Sequence, residues 1–96
     1  LVIEAENATQ ALDMCAADMP DVIVVDTALS DMSAEEFVRS VRRIESPIRP
    51  MIAISLIEVD IGTIMRAKRA GAQGYLLKPF NRPQLLERFR QFQPAA

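Results

Sequence analysis

The sequence has no histidine and a single cysteine. The first absence removes His-ligated zinc, Ser-His-Asp hydrolysis and any phosphohistidine on this chain. A metal here would have to be oxygen-ligated, so Mg2+ or Ca2+ ahead of Zn2+. A lone Cys15 cannot form an intrachain disulfide, which fits a reducing, cytoplasmic setting. At helical spacing with Ala8, Ala11, Leu12 and Ala16, Cys15 reads as a small buried apolar residue. No apolar run is long enough to cross a bilayer. Leu1 opens on a strand pattern, without the basic and apolar stretches of a signal peptide. No membrane partner is therefore expected. Eleven basic against 13 acidic residues leave a formal charge of −2, which gives no electrostatic reason to expect nucleic acid. At 96 residues, half of them apolar, the chain is one small globular domain, 1–96.

What is present is organised around Asp21-Val22-Ile23-Val24-Val25-Asp26. A short β-branched run between polar residues reads as a strand. Without alternation, both its faces should be covered, as in a central parallel strand. Leu1–Ala5, Met51–Ser55 and Gly74–Leu77 read as further strands. Between them lie helical patterns. Asn7 caps the first, and Ser33-Ala34-Glu35-Glu36 opens the second as a capping box with Met32 and Phe37 as its staple. That box explains the acids Asp31, Glu35 and Glu36 better than a metal cluster does. The third helix should bury Ile61, Ile64, Met65 and the Lys68 stem, and end at Gly71. The fourth, capped by Asn81, should bury Leu85, Leu86, Phe89 and Phe92. The order β-α-β-α-β-α-β-α predicts an α/β, doubly wound parallel sheet with right-handed crossovers.

Three strands then end in Asp26, Ser55 and Lys78, and in a parallel sheet those ends share one edge, where ligands bind. Singly, each is ordinary turn chemistry or a solvated lysine. Together, a carboxylate, a hydroxyl and an ammonium can handle a phosphoryl group. The first can attack phosphorus, and the others can bind its oxygens.

With these residues in place the chain resembles the receiver domain of two-component response regulators, a CheY-like, flavodoxin-like fold, over its whole length. The resemblance rests on the Asp21–Asp26 strand running into Met32-Ser33-Ala34-Glu35-Glu36, and on Met51–Ser55. Most specific is Ala70-Gly71-Ala72-Gln73-Gly74-Tyr75-Leu76-Leu77-Lys78-Pro79-Phe80. Val2-Ile3-Glu4-Ala5-Glu6-Asn7 looks like the family's second strand entering its second helix. The resemblance implies that Asp26 accepts a phosphoryl group from a histidine kinase or phosphotransfer protein. It implies that Ser55 and Lys78 bind that group. Tyr75 would be an aromatic that packs inward on activation; from the residues alone, a half-buried strand aromatic with its hydroxyl in water fits equally. It implies a cis Lys78–Pro79 bond, and Mg2+ held by Asp26, the Ala28 carbonyl and acids outside this chain. The output would be contact with a downstream protein through the family's α4-β5-α5 face, here the Ile57–Arg69 helix, the last strand and the last helix; a homodimer is open. Arg66, Lys68, Arg69, Arg82, Arg88 and Arg90 could meet an acidic partner there, or form a solvated face.

The family's first strand and first helix, about 30 residues, have no counterpart here. In the 2-1-3-4-5 strand order that strand is central, so Leu1–Ala5 would lack its neighbour and the Asp26 strand would have a bare edge. Three arrangements follow. The chain belongs to a longer protein, which is the preferred reading; another molecule supplies the strand; or Leu1–Ala5 pairs directly with Asp21–Asp26 in a four-stranded sheet. With one carboxylate, this chain should hold Mg2+ weakly. Ser30 and Ala34 stand where the family usually has proline and glycine, which softens the loop geometry at Ala28. The alternatives are a degenerate receiver that binds partners without phosphorylation, and an enzyme, a haloacid-dehalogenase-like phosphatase. The last needs an acid two residues after its nucleophile, and Ala28 stands there. The expectation is a switch, not an enzyme.

Overall fold

A computed structural model of the protein describes residues 2–5, 7–29 and 31–92. Ser30 and the expected frayed end, 94–96, lie outside them, as does the Phe92 side chain. Four strands and four helices alternate: β1 (Val2–Ala5), α1 (Ala8–Ala17), β2 (Val22–Asp26), α2 (Ala34–Arg43), β3 (Met51–Leu56), α3 (Ile61–Ala70), β4 (Gly74–Leu77) and α4 (Arg82–Phe92). The sheet is wholly parallel, in the order β1-β2-β3-β4.

The helix starts follow from their caps. The Asn7 side chain accepts from the Gln10 amide at 3.0 Å, and Ser33 from the Glu36 amide at 3.1 Å. Asp60 does the same for Thr63 at 3.2 Å. Asn81 and Gln84 bond reciprocally, side chain to amide, at 2.9 and 2.8 Å. Each satisfies donors that a helix start leaves unpaired. Gly71 ends α3 at φ 125°, a region L side chains avoid.

Two cores cover the two sheet faces. The larger joins Ile23, Val25, Ile52 and Ile54 to α1, α2 and α3, with Phe37 fully buried at its centre. The smaller sets Leu85 and Phe89 of α4 against Val24, Ala53 and Leu76. A sheet buried from both sides is why β2 and β3 carry apolar residues without alternation.

Three expectations are corrected. The bare edge foreseen on β2 is filled: Val2 pairs with Val22 and Ala5 with Val25, the direct four-stranded arrangement. Unpaired strand edges leave backbone donors and acceptors unsatisfied, and direct pairing removes that cost. In α3 the buried residues are Ile64 and Ala67, whereas Ile61 and Met65 face solvent. In α4, Leu86 is exposed beside buried Leu85 and Phe89. Each of these helices lies against the sheet on one side only, α3 on one face and α4 on the other, so a single row at i, i+3 or i, i+4 is covered.

Candidate functional site

The parallel register places the site. Asp26 ends β2 and is the direct neighbour of Ser55 on β3. Lys78 follows β4, and its amide donates to the Leu56 carbonyl at 2.8 Å, which fixes where its side chain starts. The Lys78–Pro79 peptide is cis. The Lys78 Nζ donates to Asp26 Oδ2 and forms an ion pair with it. Asp26 Oδ1 accepts the Ala28 amide at 2.8 Å. The two side chains are 21 % and 34 % exposed, Asp26 and Lys78 respectively, so the pair is reachable from solvent.

Burial pushes the Asp26 carboxyl up. The Lys78 hydrogen bond, the Ala28 amide and the Lys78 charge together outweigh it, and the net shift is downward from 3.8. Asp26 is thus an ionised carboxylate at neutral pH. Ser55 is buried, at 2 % exposure, and its Oγ donates to the Val25 carbonyl at a long 3.4 Å. An open pocket of about 240 Å3 lies over the pair, walled by Thr27, Ala28, Leu56, Ile57 and Thr63. Acid and amine therefore meet at one rim, while the Ser55 alcohol lies buried on the neighbouring strand with its hydroxyl on the Val25 carbonyl.

A family model described as the response regulator receiver domain matches residues 1–90. The chain belongs to the response regulator receiver domain family. It is 38 % identical over 89 residues to the transcriptional regulatory protein KdpE of Staphylococcus aureus, covering 93 % of this chain and 37 % of that protein. The chain therefore spans little more than a third of that relative. Among solved structures, the chemotaxis protein CheY4 of Vibrio cholerae superposes with a TM-score of 0.81 at 29 % identity, over 93 % of this chain and 74 % of that one. A response regulator from Burkholderia pseudomallei, solved with a phosphorylated aspartic acid, a calcium ion and citrate, gives 0.76 at 27 % identity, over 90 % of this chain and 49 % of that one. The α/β fold of this receiver is that of the CheY-like proteins.

Tyr75, the aromatic on β4, is half-buried against the larger core. The Arg88 guanidinium sits 4.9 Å over its ring and donates to the Tyr75 carbonyl at 3.0 Å. That contact had no sequence signal beyond a basic residue on α4. Thr27 was also missed: its amide and hydroxyl both donate to the Ser55 carbonyl, at 3.1 and 3.0 Å. A threonine directly after a strand-end aspartate was the signal available. Asp31 is spent structurally. Its carboxylate accepts the Ala8 and Thr9 amides at 2.9 Å each and the Thr9 hydroxyl at 2.6 Å, which ties the loop after Asp26 to the first turn of α1. Glu35 pairs with Arg39 at 3.6 Å.

Among the described residues no three acids, histidines or cysteines gather as a metal site. Asp26 offers one carboxylate, with both oxygens already engaged, and the Ala28 group bonded to it is the amide. A divalent cation needs about six oxygen ligands. The described residues do not make a Mg2+ site by themselves.

Proposed function

We propose that this receiver is a phosphorylation switch with Asp26 as phosphoacceptor, charged by the phosphohistidine of a histidine kinase or phosphotransfer protein. The supporting observation is the Lys78 ammonium on Asp26 with Ser55 alongside in register. An Asp26 carboxylate oxygen attacks phosphorus, a P–O bond forms and the donor's P–N bond breaks. The electron pair leaves with the imidazole, which takes a proton from water. Lys78 then follows charge from the carboxylate to a phosphoryl oxygen. Ser55 gives up only a long, weak bond to Val25 when its hydroxyl turns to the new group.

Phosphorylation adds charge and biases a two-state surface. The segment leading from Ser55 into α3 carries the exposed apolar residues Ile57, Val59, Ile61 and Met65, with Ile57 at 77 % exposure. Such exposure suits a downstream protein, or a second copy, at the face formed by α3, β4 and α4. No helix among the described residues is long and apolar enough to cross a membrane. From the receiver family and the lone, buried Cys15 we read the setting as cytoplasmic. We read the protein as a switch without turnover; at the position two after Asp26, where a dehalogenase-type phosphatase needs its acid, stands Ala28. A cation held by Asp26 and the Ala28 carbonyl would require ligands beyond those described.

The test is incubation with Mg2+ and acetyl phosphate, read by intact mass. One base-labile phosphoryl adduct, absent in Asp26→Asn, is the expected result. No adduct supports the second reading, a phosphorylation-independent binding module. Sustained hydrolysis of a phosphoester would point to the phosphatase.

A further inference from the structure

The far end of the sheet holds another cavity, of about 330 Å3, between the turn before β2 and the loop joining α2 to β3. Its apolar lining is buried Met19 and Val41, half-buried Ile44 and exposed Ile48. Its rim carries Arg42, Arg43 and Arg49 against a single carboxylate, Glu45. The C terminus of α2 adds only about half a negative charge. Arg42 is committed to neutral acceptors: the Gly71 carbonyl at 2.8 and 3.1 Å, the Pro50 carbonyl at 2.7 Å and Gln73 at 3.2 Å. Burial, then the like charge of Arg49, pulls its guanidinium below the ordinary value. The ion pairs found among the described residues, such as Arg39–Glu35, Lys78–Asp26 and Arg90–Glu87, include none of these three arginines. Arg43 and Arg49 are exposed and can turn their donors outward.

We propose that this cavity docks an acidic linear segment of a partner protein, with one large apolar side chain on the apolar lining and flanking carboxylates on Arg43 and Arg49. The charge excess selects the acids, and the apolar part of the lining selects the anchor. A bare phosphate would use the rim alone. The site lies at the opposite strand ends from Asp26 and does not depend on phosphorylation there.

The probe is a blocked pentapeptide of four glutamates around a central leucine, titrated into the methyl-labelled protein and followed by NMR. Shifts at the Met19, Ile44 and Ile48 methyls are expected. The double variant Arg43→Glu, Arg49→Glu should weaken binding by about tenfold or more, with its unperturbed spectrum elsewhere showing that it folds. Replacing the central leucine by alanine should weaken it as well. Shifts confined to Arg66, Arg82 and their helices would overturn the proposal. So would equal binding of inorganic phosphate, or indifference to the charge reversal.

Discussion

Lys78, with the Ala28 amide, lowers the Asp26 pKa against a burial that acts the other way. In Lys78→Met, burial faces only the Ala28 amide. The Asp26 pKa should rise, followed by carbon-13 NMR of its carboxyl; an unmoved midpoint would show that Lys78 is not the cause. The same shift links to stability. With a folded value below the unfolded 3.8, the group stabilises the fold above that pH, and the contribution is lost as pH falls through the folded value. Asp26→Asn should therefore flatten part of the acid limb of the stability curve below about pH 4. Thr27 gives a second residue-scale test. Thr27→Val keeps the shape and the amide bond to Ser55 but loses the hydroxyl bond, at about 1 kcal/mol. Thr27→Ser should restore it, by urea unfolding.

Elements join where one chain end meets another's side chain. Gly71 ends α3 at φ 125°, and a Cβ there would lie 2.9 Å from Arg42 Cγ. Arg42 cannot back away without leaving the carbonyls of Gly71 and Pro50. Gly71→Ala should cost about 1–3 kcal/mol through the backbone conformation, before any clash is counted. A lowered urea midpoint at unchanged slope would confirm it. Helix α3 shows how far pattern alone carries. Its Gly71 stop was local chemistry, but its start was not read: the helix expected from Ile57 begins only at Ile61, where the Asp60 side chain caps the Thr63 amide. Its buried stripe was not local chemistry either, because Ile61 and Met65 satisfy helical periodicity equally well on a face that nothing covers.

At the scale of the whole molecule, three helices guard one sheet face and one guards the other. Phe37→Ala opens the larger core and should cost about 3–5 kcal/mol. Leu85→Ala, in a cluster that α4 alone closes, should fall near the lower end of the 2–5 kcal/mol range. Native-state hydrogen exchange should find α4 opening at lower free energy than β2 and β3. Equal protection of α4 and the central strands would contradict this.

The order of strands and helices, the caps Asn7, Ser33 and Asn81, and the convergence of Asp26, Ser55 and Lys78 were all legible in the sequence. Periodicity and capping act within a few residues, and parallel alternation puts all strand ends on one rim. Only the tertiary structure decided that β1 pairs with β2, and which side of α3 is covered. It alone placed Asp31 on Thr9, Arg42 on Gly71 and Arg88 on Tyr75. Those contacts join residues 22, 29 and 13 apart, and their partners are chosen by unsatisfied donors and acceptors that meet only once the sheet has formed.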